Sequence, residues 1–215
     1  PFLSNTIYLD DQPLIPRTET EFWVEKAIEV IKGDVSQPNL LGAAAEPPRL
    51  LDLCAGSGAI GVSVATHIPN ALVDFVEIDR TLLPTIVKNI SENNIEPDRY
   101  HVYHSNLFMS VPTTTKYDFI LSNPPYIDPA LDRTTDSVRV HEPHLALYGG
   151  VLGLEVIEQI IENAPNHLKT GGQLWIEHEP EQAAALATLA TQHNFSCTTY
   201  KDQYDVLRYS VLVLQ

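Results

Sequence analysis

The string Asn123-Pro124-Pro125-Tyr126 combines residue types that could hold a nitrogen atom for reaction. Proline has no amide donor, so this backbone offers carbonyl acceptors, and the Asn123 side chain adds another. An amide or aromatic amine nitrogen is a poor nucleophile, and acceptors that bind both hydrogens of its NH2 group would activate it. The Tyr126 ring would pack against the flat substrate group. The pattern predicts Asn123, Pro124, Pro125 and Tyr126 as catalytic residues, with Asn123, Pro124 and Tyr126 binding substrate. The alternative is a rigid strand exit, since Asn and Pro are common in turns.

A glycine-rich turn from Ala55 to Gly58, within LDLCAGSGAIG at 51 to 61, could bind a nucleotide-like cofactor. Glycines let the backbone approach a ligand closely, so Ala55, Gly56, Ser57 and Gly58 are candidate cofactor contacts. Gly56, Gly58 and Gly61 also satisfy the GxGxxG spacing of dinucleotide sites. By itself this turn fits either NAD or S-adenosylmethionine.

Three acids lie near the turn, and one of them, Asp52, favours S-adenosylmethionine over NAD. Glu77 and Asp79 follow the second predicted strand, where carboxylates could accept hydrogen bonds from ribose hydroxyls. Asp52 could receive the methionyl ammonium, directly or through water, and would repel a dinucleotide pyrophosphate. The sulfonium already activates the methyl group, so neither a metal nor a covalent nucleophile is required. The alternatives are a turn cap for Asp52 and solvated strand-end acids for Glu77 and Asp79.

These candidate residues lie where short apolar runs alternate with helical patterns, which favours a parallel sheet covered on both faces. The final two predicted strands are close enough to form an antiparallel hairpin. The pattern therefore predicts an α/β fold, a mostly parallel seven-stranded sheet with a C-terminal antiparallel pair, as in class I, Rossmann-like S-adenosylmethionine methyltransferases. The predicted strands are Arg49 to Cys54, Leu72 to Glu77, Tyr100 to His104, Tyr117 to Ser122, Gln173 to His178, Ser196 to Lys201 and Leu207 to Leu214. The predicted helices are Glu19 to Ile31, Ala59 to His67, Leu82 to Asn93, Leu154 to Leu168 and Glu181 to His193.

The length of 215 residues indicates one core. We expect residues 1–48 to form an extended segment, a helix and a loop that pack on a catalytic domain of residues 49–215. The net charge of -15 argues against direct nucleic-acid binding. Cys54 and Cys197 form no CxxC pair, and no apolar run is long enough to span a membrane. We therefore expect an intracellular, monomeric protein with no membrane contact.

The sequence resembles the peptide-chain release factor glutamine methyltransferases over nearly its whole length. The Asn-Pro-Pro-Tyr string alone is shared with adenine methyltransferases, but the others point to the glutamine branch. The family also has an N-terminal helical domain that is absent here, so we expect upstream sequence to have been removed. Five strings carry the resemblance: LIPRTETE at 14 to 21, LDLCAGSGAI at 51 to 60, NPPYID at 123 to 128, VRVHEPHLAL at 138 to 147 and GGQLWIEHEPEQ at 171 to 182.

The resemblance implies roles for individual residues. The glycine turn would bind S-adenosylmethionine, Glu77 the ribose, and the Asn-Pro-Pro-Tyr string the glutamine amide, with Asn123 also touching the cofactor. Leu107 would lie beside the adenine, with Asn106 replacing the family's usual acid. A loop with Arg139, Glu142 and Pro143 would shape the substrate pocket. Cys54, where glycine is common, and Leu152, where aspartate is common, depart from the family pattern.

The resemblance implies methylation of a glutamine side-chain nitrogen in a protein, most simply the Gly-Gly-Gln tip of a release factor, with a ribosomal protein as the other substrate. Three alternatives stay open: an adenine amine methyltransferase on DNA or RNA, a noncatalytic cofactor-binding activator subunit, and a dehydrogenase. Bacterial relatives are cytoplasmic and eukaryotic ones can be mitochondrial. His141-Glu142-Pro143-His144 has no third ligand pattern, so we expect no metal.

Overall fold

The computed structural model describes residues 1–35, 46–131 and 143–215. Within these ranges, seven strands form one sheet and six α-helices of four residues or more accompany it. The strands are β1 (Arg49–Leu53), β2 (Leu72–Glu77), β3 (Tyr100–His104), β4 (Tyr117–Ser122), β5 (Leu168–Glu177), β6 (Phe195–Lys201) and β7 (Leu207–Leu214). The helices are α1 (Thr18–Val35), α2 (Ala59–His67), α3 (Leu83–Glu92), α4 (His144–Leu147), α5 (Glu155–Asn163) and α6 (Ala183–Gln192).

The strand order is β3-β2-β1-β4-β5-β7-β6. Strands β3, β2, β1, β4 and β5 pair in parallel, whereas β7 runs antiparallel to both β5 and β6. The predicted mostly parallel sheet with a C-terminal antiparallel pair is therefore confirmed. The order reverses between β1 and β4, and in such sheets ligands bind at the carboxyl ends of the strands beside the reversal.

Apolar side chains bury both faces of the sheet, which explains why its central strands read as continuous apolar runs. On one face Trp23 of α1 and Ile86 of α3 pack with Phe75 of β2. On the other, Ile157 of α5 and Leu186 of α6 pack with strand residues such as Ile120. The helices thus fix the sheet from both sides and hold its carboxyl edge rigid.

The N-terminal segment is tied to the rest of the chain by hydrogen bonds. The buried Asn89 side chain accepts from the Tyr8 amide at 2.7 Å and donates to the Tyr8 carbonyl at 2.9 Å. Asn5 Nδ2 donates to Ser63 Oγ at 3.0 Å, and the Glu21 carboxylate accepts from the Leu3 amide at 2.6 Å. These bonds bring the residues before α1 against α2 and α3.

Three predicted element bounds are wrong. Helix α5 ends at Asn163 rather than Leu168, because Pro165 has no amide to continue the helical hydrogen bonds, and a 3-10 turn follows. Strand β5 accordingly begins at Leu168, five residues before the predicted start. Helix α1 also continues past Ile31 to Val35, through Gly33. Among the described residues, no helix has the length and apolarity needed to cross a membrane.

Candidate functional site

A cavity of about 250 Å³ lies at the carboxyl ends of β1, β2 and β4. Both predicted sites meet there, since the glycine turn follows β1 and the Asn-Pro-Pro-Tyr string follows β4. Of the predicted site residues, those that line it are Ala55, Gly56, Ser57, Glu77, Asp79, Asn106, Leu107, Asn123, Pro125 and Pro143. The described ones that do not line it are Asp52, Gly58, Pro124 and Tyr126, while Arg139 and Glu142 fall outside the described residues.

The turn after β1 has a left-handed backbone that brings main-chain atoms to the cavity. Gly56 and Gly58 have φ values of 56° and 78°, and Cys54 adopts 64° despite its side chain. A non-glycine residue in this region costs about 1 kcal/mol, and such strain is found preferentially at functional sites. Burial raises the pKa of the Cys54 thiol, with Glu77 adding to the effect, so this thiol stays protonated and is a poor nucleophile.

Glu77 is the buried acid of the cavity. Its carboxylate accepts from the Gly56 amide at 2.7 Å and the Asp79 amide at 2.8 Å, which connects the end of β2 to the glycine turn. Burial raises the pKa of Glu77, and the bonds from Asp79 and Gly56 oppose that rise. Asp79 instead caps a short 3-10 turn, where its side chain accepts from the Thr81 amide and hydroxyl. Glu77 is therefore the better placed acceptor for a ligand's hydroxyl groups.

Asp52 lies behind the turn rather than on the cavity wall. Its Oδ2 accepts from the Gly61 amide at 2.8 Å, so it holds the first turn of α2. Its Oδ1 is buried and has no hydrogen-bond partner among the described residues. Burial raises the pKa of Asp52 to about 8. The side chain thus has a buried oxygen close to the turn without a partner in the described part of the chain.

Asn106 and Leu107 form another wall of the cavity, after β3. Leu107 has a φ of 46°, a second strained non-glycine residue at this site. The neighbouring Ser105 is buried, and its Oγ accepts from the Ser110 amide at 2.9 Å. This bond closes the turn that presents Leu107 to the cavity.

The Asn-Pro-Pro-Tyr string is held from behind by the chain after α4. Added Cβ atoms at Gly149 and Gly153 would overlap the carbonyls of Pro125 and Tyr126, so glycine is needed at both positions. The buried Gln182 donates to the Tyr126 carbonyl at 2.8 Å. Tyr126 faces a second cavity of about 90 Å³, away from the larger one. Tyr126 was expected to pack against the substrate, but it does not line the larger cavity.

Sequence reasoning missed residues that reach the site from distant elements. Thr20 lines the cavity, and its hydroxyl lies 3.2 Å from Asn123 Nδ2. Glu177, at the end of β5, accepts from both Thr20 and Tyr126. The sequence does carry a signal for Glu177: like Glu77, it is an acid that directly ends an apolar strand. Within the described parts of the chain, no group of three His, Cys, Asp or Glu side chains could hold a metal.

The cavity has features that fit S-adenosylmethionine. The open backbone at Gly56, where an added Cβ would meet nothing within 4 Å, leaves room for a ligand against the turn. Glu77 supplies buried carboxylate oxygens for ribose hydroxyls, and the apolar side chain of Leu107 supplies a surface for a flat base.

Comparisons with known proteins agree with this geometry. A family model described as methyltransferase small domain matches residues 39–141. A solved Pyrococcus furiosus methyltransferase superposes with a TM-score of 0.63 at 16% identity, covering 96% of this chain and 87% of that one. A Thermus thermophilus 16S rRNA methyltransferase, in complex with AdoMet and guanosine, gives 0.61 at 18% identity, covering 94% and 44%. The chain therefore has the fold of the class I methyltransferases.

The sequence relatives are glutamine methyltransferases. The release factor glutamine methyltransferase of Rhodopirellula baltica is 38% identical over 194 residues, which are 89% of this chain and 62% of that protein. The ribosomal protein uL3 glutamine methyltransferase of Bradyrhizobium diazoefficiens is 34% identical over 170 residues, 79% of this chain and 52% of that protein. Over most of its length the chain is therefore similar to glutamine methyltransferases that act on release factors or on uL3. The matched methyltransferase domain indicates S-adenosylmethionine as the cofactor. The chain spans less than two thirds of these relatives' length.

Proposed function

We propose that the protein transfers a methyl group from S-adenosylmethionine to the side-chain amide nitrogen of a glutamine in a protein substrate. The observation that carries this proposal is the shared cavity: Asn123 and Pro125 line the same space as the glycine turn and Glu77. A group that accepts hydrogen bonds from an NH2 therefore lies next to the expected cofactor. The names of the sequence relatives support glutamine over other nitrogen nucleophiles.

In this proposal the cofactor supplies an already activated methyl group when bound. Glu77 would accept from the ribose, and the backbone of the glycine turn would contact the methionyl part. Asn123 Oδ1 and a proline carbonyl would accept the two amide hydrogens, which would orient the nitrogen and raise its electron density. As the C–N bond forms, the methyl–sulfur bond breaks to leave S-adenosylhomocysteine, and the nitrogen loses one proton to solvent. The proposed cofactor contacts are Asp52, Ala55, Gly56, Ser57, Gly58, Glu77, Asp79, Asn106, Leu107 and Asn123. The proposed substrate contacts are Asn123, Pro124, Tyr126, Arg139, Glu142 and Pro143.

The substrate we favour is the Gly-Gly-Gln tip of a release factor. The LIPRTETE string supports it, and its residues Leu14, Pro16 and Thr20 line the cavity. Ribosomal protein uL3 is the second protein candidate, because relatives with that name match the chain at 33–34% identity.

The test is incubation with radiolabelled S-adenosylmethionine and four acceptors: a release factor, its Gln→Ala tip variant, uL3, and adenine-containing DNA or RNA. Peptide mass spectrometry then locates the label. We expect label on the wild-type tip alone. Label confined to uL3 would change the substrate, label on nucleic acid would support the adenine alternative, and no label on any glutamine would contradict the proposal.

We further propose that residues 1–48 and 49–215 act as one catalytic unit, since the cavity is lined from both parts. We also propose a monomer inside the cell, cytoplasmic in a bacterial source and mitochondrial in a eukaryotic one. The curated relatives named above are bacterial. Light scattering on the purified protein and fractionation of its source cells would test both statements.

A further inference from the structure

Glu177 is a buried carboxylate at the carboxyl end of β5, with only 1% of its surface exposed. Three donors from two other parts of the chain meet it. Oε2 accepts from Thr20 Oγ1 and from Trp23 Nε1, both at 2.7 Å, and Oε1 accepts from the Tyr126 hydroxyl at 2.9 Å. The proposed mechanism gives this carboxylate no direct part, because it does not line the larger cavity.

The direction of each hydrogen bond in this cluster is fixed by the chemistry of its members. Burial raises the pKa of Glu177, while its hydrogen bonds from Trp23, Thr20 and Tyr126 oppose that rise and favour the ionised form. An indole N–H can only donate, and the ionised carboxylate can only accept. The Thr20 hydroxyl must therefore use its single hydrogen toward Glu177 and can only accept from Asn123. Asn123 accordingly presents its NH2 group to Thr20, with Nδ2 3.2 Å from Oγ1.

An asparagine amide has no intrinsic preference for which of its two ends faces a ligand, and only its hydrogen-bond partners decide. With Nδ2 engaged by Thr20, the Oδ1 atom is the end left for the cavity. That end is the one a substrate NH2 needs. If the Asn123 amide rotated by 180°, its NH2 group would face the substrate NH2, and the substrate nitrogen would lose its hydrogen-bond acceptor.

We propose that Glu177, acting through the Thr20 hydroxyl, is a positioning residue that fixes the Asn123 amide with its oxygen toward the substrate. This role rests on the proposed methyl transfer to an amide nitrogen. The same carboxylate accepts from Tyr126, so it fixes two of the four residues of the Asn-Pro-Pro-Tyr string. It also explains how the start of α1 contributes to the site without touching the reacting atoms.

The matched variants are Thr20→Val, which removes the hydroxyl at nearly constant volume, and Thr20→Ser, which keeps it. We expect Thr20→Val to lower kcat by about 10- to 100-fold, the scale of a misplaced reactive group. The Kd for S-adenosylmethionine should change less than about threefold, and Thr20→Ser should recover most of kcat. A wild-type kcat in Thr20→Val, or equal losses in both variants, would overturn the proposal.

A cycle with Glu177→Gln and Trp23→Phe tests the direction of the bonds. In Glu177→Gln alone, the Trp23 N–H still requires an oxygen at the position of Oε2. The Thr20 hydroxyl therefore still donates to that oxygen and accepts from Asn123. Only the double variant lets the glutamine NH2 face Thr20 and release the Asn123 amide. We therefore expect the loss of kcat in the double variant to exceed the product of the single losses by about tenfold or more. Independent losses that simply multiply would contradict the relay, and thermal unfolding of each variant separates stability from turnover.

Nuclear magnetic resonance gives a readout that needs no substrate. The Asn123 side-chain NH2 signals, assigned by their loss in Asn123→Asp, should move in Thr20→Val and return in Thr20→Ser. Signals that stay unchanged in Thr20→Val would overturn the relay. If the wild-type protein methylates no glutamine, the proposed function fails, whereas these signals still decide whether Asn123 is held as stated.

Discussion

At the scale of residues, the site depends on buried and half-buried polar atoms that form hydrogen bonds with particular partners. Glu77 is 6% exposed and connects the glycine turn to the end of β2 through two backbone amides. Asn123 lines the cavity and donates to Thr20. Because a buried polar group without a partner is costly, each such residue is held in one orientation. Even a substitution at these residues that changes the side-chain volume little should therefore lower the activity.

The first prediction concerns Asn123. Asn123→Ala should leave the Kd for S-adenosylmethionine nearly unchanged and reduce kcat at least about a hundredfold, because a preorganised acceptor is lost. Asn163→Ala, on the exposed face of α5, is the matched control. Calorimetric binding and the radiolabel assay measure the two quantities. A rate equal to that of the control would remove Asn123 from the mechanism.

The second prediction concerns Asp52. Burial raises its pKa from 3.8 to about 8, so the folded state binds this proton more tightly than the unfolded state. Its contribution to the free energy of unfolding is thus largest below pH 4 and falls as the pH rises towards about 8. Asp52→Asn keeps an acceptor for the Gly61 amide but removes this titration.

Urea unfolding at pH 5 and pH 7 would measure the effect. The wild-type protein should lose more stability between these values than Asp52→Asn, by at most about 1.4 kcal/mol per pH unit. Asp98→Asn, at an exposed position, controls for the loss of a negative charge. Parallel pH profiles in the wild type and Asp52→Asn would show that Asp52 does not titrate in this range.

At the scale of elements, close contact between α2 and the sheet positions the glycine turn. Gly61 lies where α2 crosses β2, and an added Cβ would overlap the Phe75 ring. The third glycine of the GxGxxG spacing is therefore a packing residue in this fold, not a ligand contact. The glycines behind the Asn-Pro-Pro-Tyr string act in the same way, because they allow two backbone segments to touch.

The third prediction follows from this contact. Gly61→Ala should lower the free energy of unfolding by about 1–3 kcal/mol, the usual cost of overpacking. Gly33→Ala is the matched control: Gly33 lies in α1, and an added Cβ there would meet nothing within 4 Å. That change should instead stabilise the protein by about 0.5–1 kcal/mol. Chemical denaturation measures both, and equal stabilities would contradict the packing role.

At the scale of the whole molecule, the cavity is assembled from residues spread between Phe2 and Gln159. The N-terminal segment, the ends of the four parallel strands β1 to β4, and α4 with the chain after it all contribute to its wall. A ligand bound there contacts segments that are far apart in sequence, so it should stabilise the entire fold.

The fourth prediction is a thermal shift. S-adenosylmethionine at about 100 times its Kd should stabilise the folded state by about 2.7 kcal/mol. For a protein of this length that corresponds to a rise in Tm of about 5–11 °C. NAD should give no shift, and Glu77→Gln should shrink the shift at the same cofactor concentration. A shift with NAD but not with S-adenosylmethionine would favour the dehydrogenase alternative.

The sequence alone predicted the fold and several residues of the candidate site. Short apolar runs predicted every strand of the sheet. Burial on both faces imposes such runs on the central strands, whereas the edge strands β3 and β6 are largely exposed or half-buried. The glycine turn and the Asn-Pro-Pro-Tyr string were visible because their residue types constrain the backbone locally. Glu77 was visible because it ends an apolar strand.

Only the tertiary structure decided how these parts work together. It placed Asp52 behind the turn, where the side chain accepts from the Gly61 amide nine positions further along the chain. It placed Tyr126 at a separate cavity, with its hydroxyl bonded to Glu177, 51 positions away. It also joined Thr20 to Glu177 across 157 positions of sequence. Local patterns carry no information about such partners, because side-chain direction is set by whichever element packs alongside.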